Sequence, residues 1–147
     1  MNLFLILHYL KNKNMASVKS HIGKELYKIK IQSPSGNEII ADEPVSSGGQ
    51  DKGFSPFELL GSALAACTSA TLRMYADRKA WDLQEVNLEI EVKQNESRTQ
   101  TDILRKIELI GNLNEEQRAR LIAVANACPV HKVLSNPIEI STSEVKN

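Results

Sequence analysis

The chain has 147 residues, of which 41% are hydrophobic and 24% are charged, and its 18 basic residues balance its 18 acidic ones. This length is sufficient for one domain with a buried core. Nucleic-acid-binding proteins usually carry a basic excess or stacking aromatic residues. Here the net charge is zero and 5% of the residues are aromatic, so we expect no nucleic-acid partner. Two cysteines are too few for a secreted scaffold held by disulfides.

The N-terminal segment 1–14, MNLFLILHYLKNKN, has a short apolar run with no preceding positive charge and no following cleavage site, which is not typical of a signal peptide. Met15 begins a segment that is typical of a protein start. We therefore interpret residues 1–14 as an extension or a misassigned start, and residues 15–147 as a single domain. No later stretch approaches the roughly 18 apolar residues of a membrane span, so we expect a cytoplasmic protein without a membrane partner.

The first elements along the chain form a predicted β-hairpin. Residues 26–31 alternate between apolar and basic side chains, which predicts a half-buried strand. Residues 33–37 are turn-forming, and residues 38–41 supply the returning strand. The Gly/Ser-rich segment 42–55 that follows has no periodicity and is predicted to be a loop.

A long central helix is predicted over residues 56–80. Ser55 is a suitable N-cap, Pro56 suits the first helical position, and Glu58 completes a capping box. The middle of this helix is small or apolar on nearly all sides, which predicts a helix that is covered on most of its surface. Cys67 lies at the centre of that stretch.

The second half of the chain repeats the order of hairpin and helix. Residues 86–92 and 103–110 are predicted to pair as a hairpin, and Asn114 is predicted to cap a second helix with acidic residues in its first turn. Residues 136–142 are predicted to form a short C-terminal strand. Hairpins in place of β–α–β alternation indicate an α+β fold.

The second cysteine lies in the segment CPVHKVL, where proline indicates a new helix. Pro129 is unfavourable inside a helix but suits its first position, so we predict a short helix capped by Cys128. Backbone N–H groups and the dipole at a helix start favour a thiolate there. The spacing of three residues points the His131 imidazole away from the capping sulfur. This disfavours a Cys–His dyad and leaves either an ordinary surface histidine or an accessory role at the site.

Several roles are open to these two cysteines. A metal site is disfavoured, because the sequence has no C-x-x-C motif and His131 is the histidine nearest to Cys128. We therefore expect neither a metal nor another cofactor. Cys67 taken alone is equally consistent with a small buried hydrophobic residue. If the two helices pack together, the two sulfurs meet.

The segments SPFELLGSALAACTSATLRMYADRKAW and ANACPVHKVL resemble the OsmC/Ohr family of osmotically inducible and organic-hydroperoxide-resistance proteins, and the OsmC-like branch in particular. The resemblance covers residues 20–142 and implies an intertwined homodimer in which a long central helix is wrapped by sheets, with the active site at the subunit interface. It implies that Cys67 is the peroxidatic thiol, which attacks a hydroperoxide and becomes a sulfenic acid. Cys128 is then the resolving thiol, which condenses with it to a disulfide.

The function implied by the resemblance is a thiol-dependent peroxidase that reduces organic hydroperoxides and is recycled by a thiol or dithiol reductant. The alternative is a non-enzymatic OsmC-like protein that senses redox state or binds an apolar ligand. A cation aimed at the nucleophilic thiol would distinguish the two.

The chain differs from the resembled peroxidases in the groups that activate the nucleophile. Those enzymes pair an N-terminal arginine with a glutamate directly after the proline at the helix start. Here the first arginine is Arg73, and Phe57 follows Pro56. Glu58 comes one residue later, on the side of the helix opposite Cys67, so we expect it to act as a cap, with an accessory role as the alternative. We therefore expect a slower peroxidase than those enzymes.

Overall fold

The computed structural model describes residues 16–146. They form two compact units, one extending to Pro56 and the other beginning at Phe57. The interpretation of residues 1–14 as an extension concerns a segment outside the described residues. The assignment of residues 15–147 to one domain stays a prediction. No helix within the described part of the chain is long and apolar enough to cross a membrane.

The N-terminal unit contains an antiparallel sheet of three strands in the order β1–β2–β3. The strands are β1 (Lys19–Ile22), β2 (Ile29–Gln32) and β3 (Glu38–Ala41). The pairing of β2 with β3 confirms the first predicted hairpin. Strand β1 was not predicted, because all four of its residues are exposed and it therefore shows no apolar face in the sequence.

The Gly/Ser-rich loop after β3 is organised around a buried carboxylate. Asp42 is 1% exposed and accepts hydrogen bonds from four backbone N–H groups. These donors are Tyr27, Glu43, Gln50 and Lys52, at 3.1, 2.8, 3.3 and 3.1 Å. Burial raises the pKa of Asp42, but the four N–H groups outweigh it and hold the pKa below its ordinary value.

The C-terminal unit contains the predicted helices and the second hairpin. Its elements are α1 (Pro56–Arg78), β4 (Asp82–Gln94), β5 (Thr101–Asn112), α2 (Glu115–Ala125) and α3 (Pro129–Ser135). Strands β4 and β5 pair antiparallel as a two-stranded sheet. The predicted Asn114 cap is confirmed, because its side chain accepts the Gln117 N–H at 2.8 Å. The α+β class predicted from the sequence is therefore confirmed.

The core of the C-terminal unit is formed by one face of α1 together with the sheet and α2. Its buried members are Leu72, Ala76, Leu83, Leu109, Leu113, Leu121 and Ala125. The opposite face of α1 is exposed, and its residues are Ala63, Ala66, Ala70 and Met74. The single chain leaves this face uncovered, so the prediction of a helix covered on most sides stays a prediction about an assembly with a second copy.

The predicted C-terminal strand is not formed. Residues 137–146 have no regular secondary structure, and Ile138 and Ile140 are 58% and 86% exposed. The alternation of this segment supplies an apolar face, but a strand also needs a neighbour that accepts its backbone hydrogen bonds. Among residues 16–146, no strand pairs with this segment.

Candidate functional site

The structure brings the two cysteines together at the start of α3. The Val130 N–H donates to Cys67 Sγ at 3.5 Å, and the His131 N–H donates to Cys128 Sγ at 3.3 Å. Cys128 is the N-cap of α3, as predicted. The Cys67 thiol is near enough to lower the pKa of Cys128, and both cysteines are free thiols. Two successive backbone N–H groups therefore hold one sulfur each.

The two sulfurs differ in burial. Cys128 has no exposed surface, whereas Cys67 is partly exposed. The difference follows from the helix, because the neighbouring Thr68 occupies the buried face of α1 and Cys67 lies beside that face. A small molecule from solvent therefore meets Cys67 before it meets Cys128.

An arginine lies beside the thiols, on strand β5. Arg105 Nη1 donates to Thr68 Oγ1 at 2.9 Å and to the Ala125 carbonyl at 3.1 Å, and Nη2 donates to Asn126 Oδ1 at 2.8 Å. Thr68 Oγ1 in turn lies 3.8 Å from Cys128 Sγ. The guanidinium therefore joins β5, α1 and the end of α2 in one polar cluster at the second cysteine.

Sequence reasoning missed Arg105, although its position carries a signal. In β5 the apolar residues Ile103, Ile107 and Leu109 turn inward in alternation, and Arg105 has the same phase. An arginine on the buried face of a strand needs hydrogen-bond partners inside the protein. Because Arg105 alternates in step with the inward-facing apolar residues, the sequence of β5 predicts a positive charge on the inner face of the strand. Thr68 and Asn126 gave no comparable signal.

Arg73, which the sequence offered as the first arginine of the chain, is engaged elsewhere. Its guanidinium donates to the carbonyl oxygens of Leu83 and Gln84 and lies 3.6 Å from the Asp77 carboxylate. These contacts attach α1 to the start of β4.

Glu58 and His131, the two candidate accessory residues, lie in different places. Glu58 lies about two and a half turns before Cys67. It is in the first turn of α1, and the helix dipole favours an acid at that position. The His131 side chain lines a cavity of about 410 Å³. That cavity is lined by three apolar residues, Leu64, Ile103 and Leu134, and by five polar ones, Thr101, Arg105, Asn126, His131 and Ser135. His131 therefore contributes its backbone to the thiols and its side chain to the adjoining cavity.

The environment of Cys128 changes its acidity. Burial raises the pKa of the Cys128 thiol, because a charged sulfur loses solvation. The His131 N–H and the Cys67 thiol lower this pKa, and Thr68 and the positive charge of Arg105 lower it further. The lowering contributions outweigh burial, so the Cys128 pKa lies below its ordinary value.

Metal ligands are not clustered at this site. Over residues 16–146, no group of three or more His, Cys, Asp or Glu side chains is arranged to hold a metal ion. The chemistry that the described residues offer here is therefore that of two thiols beside a guanidinium and a hydroxyl.

Comparisons with known proteins agree with this architecture. The chain matches no curated protein sequence. Among solved structures, a protein of Psychrobacter arcticus is similar, with 24% identity, a TM-score of 0.72, and coverage of 82% of this chain and 89% of that one. An OsmC-like protein of Mycoplasma pneumoniae has 22% identity and a TM-score of 0.72, over 83% of this chain and 88% of that one. The organic hydroperoxide resistance protein OhrB of Bacillus subtilis has 21% identity and a TM-score of 0.58, over 82% and 90%.

These structural similarities establish a shared fold. The family relationship comes from a family model described as OsmC-like protein, which matches residues 49–143 and includes both cysteines. Because this match covers more than half of the chain, the protein belongs to the OsmC-like protein family, as the resemblance of its two motifs implied.

Proposed function

We propose that this protein is a thiol-dependent peroxidase that reduces organic hydroperoxides in the cytoplasm. The observation that carries the proposal is the pair of reduced thiols in contact, with Cys67 partly exposed and Cys128 buried. A nucleophile must be reachable by its substrate, whereas a resolving thiol needs to reach only the nucleophile. The arrangement therefore favours Cys67 as the attacking sulfur and Cys128 as the resolving one.

The proposed reaction has three steps. The Cys67 thiolate attacks the terminal oxygen of the hydroperoxide, the O–O bond breaks, and the leaving alkoxide takes up a proton to become an alcohol. The Cys128 thiolate then attacks the sulfenic sulfur, which forms the disulfide and releases hydroxide that is protonated to water. A dithiol reductant finally returns the disulfide to two thiols and is itself oxidised.

The comparisons support a role in the response to peroxide or to related stress. The Bacillus subtilis protein that shares this fold is named for resistance to organic hydroperoxides. At 21% identity, the likeness gives the fold, and the assignment of peroxidase activity to this chain rests on its own thiols. Stopped-flow kinetics with an alkyl hydroperoxide, with hydrogen peroxide and with a dithiol reductant tests it directly. We expect faster consumption of the alkyl hydroperoxide, and consumption no faster than in buffer would refute the proposal.

We also propose that the protein is a homodimer in which a second copy covers the exposed face of α1. That face carries three alanines, and Met74 on it is 65% exposed. Small residues permit close approach of another helix, and covering exposed apolar surface lowers the free energy of the assembly. Light scattering at micromolar concentration should give twice the mass of the chain. A folded monomer would contradict this arrangement.

A second candidate function follows from the cavity beside the thiols. Three apolar and five polar residues line its volume of about 410 Å³, which would suit a small ligand with both apolar and polar groups in a non-enzymatic sensor. The two candidates differ in the rate of oxidation. A dithiol also reduces the disulfide of a sensor, so the distinguishing quantity is the rate constant with which Cys67 reacts with the hydroperoxide, which a non-enzymatic protein does not raise above that of a free thiol.

A further inference from the structure

A series of hydrogen bonds leads from Arg105 to Cys128. A guanidinium can only donate, so Thr68 Oγ1 accepts the bond from Arg105 Nη1 at 2.9 Å. The proton of the Thr68 hydroxyl then remains available to another acceptor, and Cys128 Sγ lies 3.8 Å from that oxygen. A donor in this position suits a sulfur that carries negative charge, because a thiolate can only accept.

The positive charge of Arg105 is held in place but is not neutralised by these contacts. Its other two bonds go to the Ala125 carbonyl at 3.1 Å and to Asn126 Oδ1 at 2.8 Å, and both acceptors are uncharged. The side chain is partly buried on the inward face of β5. Electrostatic interactions are stronger there than in bulk water, so a fixed cation favours an anion in the same cluster.

The two sulfurs receive different sets of donors. Cys128 accepts the His131 N–H at 3.3 Å, lies beside the Thr68 hydroxyl, and has the Cys67 thiol as a neighbour that lowers its pKa. Cys67 accepts a backbone N–H at 3.5 Å. The titratable and charged groups that face Cys128 are Cys67 from α1, Arg105 from β5 and His131 on its own helix.

We propose that Arg105, acting through Thr68, is a positioning residue that keeps Cys128 as the resting thiolate of the pair. This inference rests on the peroxidase function proposed above and concerns its proton transfers and its resolving step. The proton of Cys67 moves to Cys128 as Cys67 attacks the hydroperoxide. It then passes to the leaving alkoxide, which restores the Cys128 thiolate.

The expected benefit is rapid resolution. When the Cys67 sulfenic acid has formed, the Cys128 sulfur is already charged and hydrogen-bonded toward it. The S–S bond forms, the S–O bond breaks, and the hydroxide that leaves is protonated to water. A second hydroperoxide therefore has little time to oxidise Cys67 to the sulfinic acid, which thiols do not reverse.

The first test measures ionisation of Cys128 without any peroxide. In a Cys67→Ser background, Cys128 is the one remaining cysteine, so the ultraviolet absorbance of the thiolate reports it alone, after subtraction of the Cys67→Ser, Cys128→Ser double variant. Arg105→Met removes the cation at similar size. We expect the thiolate fraction at neutral pH to fall by about tenfold and the titration midpoint to move to higher pH. Arg105→Lys keeps the charge without the planar fork of the guanidinium. Its Cys128 titration midpoint should lie between those of the Cys67→Ser parent and of Arg105→Met.

The matched control is Lys106→Met, which removes a cation from the outward face of the same strand. Lys106 pairs with Glu89 and Glu91 at 3.0 and 3.4 Å, so its loss should leave the Cys128 titration unchanged. Circular dichroism establishes that each variant is folded, and Arg105→Lys decides the matter if Arg105→Met does not fold.

The second test uses the protein with both cysteines and increasing alkyl hydroperoxide. Mass spectrometry should find the disulfide in the wild type and a larger share of Cys67 sulfinic acid in Arg105→Met. Identical Cys128 titrations with Arg105→Met and with Arg105 in place, both in the Cys67→Ser background, would overturn the inference whether or not hydroperoxide is consumed. Absence of wild-type turnover would instead refute the peroxidase function, which this titration does not use.

Discussion

Among residues 16–146, each of the two units buries one ionisable side chain, Asp42 in the N-terminal unit and Cys128 in the C-terminal unit, and each holds its pKa below the ordinary value. Asp42 does so with four backbone N–H groups of its own loop. Cys128 uses a backbone N–H, a hydroxyl, a second thiol and a nearby guanidinium. The carboxylate is thereby fixed, whereas the thiol lies against a partner that can exchange a proton and form a bond with it. A lowered pKa therefore marks a reactive site only where a reactive neighbour accompanies it.

The largest effect is expected from removing the nucleophile. Cys67→Ser should lower steady-state hydroperoxide consumption by about a thousandfold or more, because a hydroxyl does not form the sulfenic intermediate. Cys128→Ser should still complete a first turnover, more slowly than the wild type because the group that takes the Cys67 proton is gone, and should then stall as further hydroperoxide overoxidises Cys67. Single-turnover kinetics combined with mass spectrometry distinguishes the two. Rapid first-turnover consumption by Cys67→Ser would show that the buried sulfur is the attacker.

Removing the buried carboxylate of Asp42 should affect the structure of its loop and leave hydroperoxide consumption unchanged. Asp42→Asn keeps the shape but turns an amide NH₂ toward backbone N–H groups that need an acceptor. We expect amide hydrogen exchange across residues 43–52 to accelerate by about tenfold or more, since these N–H groups lose their shared partner. Asp51→Asn, a change at an exposed acid of the same loop, is the control. Equal protection in both variants would show that the carboxylate does not organise the loop.

The sequence predicted the fold more completely than it predicted the site. Local signals sufficed for α1, for the Asn114 cap and for the Cys128 cap, because proline, capping residues and periodicity act within a few positions. The contact between Cys67 and Cys128 followed only from a family resemblance, since packing between distant helices leaves no local pattern. Arg105 was missed because cations were considered only in the N-terminal part of the chain and on the central helix, and not on the second hairpin.

A further error has its own physical cause. The strand predicted over residues 136–142 requires a neighbouring segment, and periodicity indicates an apolar face without saying what packs on it. Asp42 illustrates the reverse case. Its loop had no periodicity, yet a buried carboxylate and four N–H groups give it a defined structure. Hydrogen-bonded loops of this kind are invisible to patterns of hydrophobicity.

The lowered pKa of Cys128 predicts how stability depends on pH under reducing conditions. The folded state releases the thiol proton at lower pH than the unfolded chain, whose cysteine titrates near ~8.5. The contribution of the Cys128 thiolate to the free energy of unfolding is therefore complete above the unfolded-state pKa. It is lost as the pH falls through the pKa of the folded state. The difference in urea midpoint between wild type and Cys128→Ser should grow in favour of wild type from mildly acidic pH to about pH 9. A difference that shrinks as pH rises would contradict the sign.

The smallest effect is expected from the hydroxyl between Arg105 and Cys128. Thr68→Val is nearly isosteric and leaves the guanidinium in place, so it removes one donor to the sulfur without removing the cation. We expect the Cys128 thiolate fraction at neutral pH to fall by a few-fold in the Cys67→Ser background. The unfolding free energy should fall by about 1–2 kcal/mol, because Arg105 Nη1 loses an acceptor. Thr68→Ser keeps the hydroxyl and should titrate as the parent does, although the lost methyl group lowers stability by about 1 kcal/mol. If Thr68→Val and Thr68→Ser titrate alike, the hydroxyl does not connect the two residues. Cys128 would then be held, as Asp42 is, without help from a neighbouring side-chain hydroxyl.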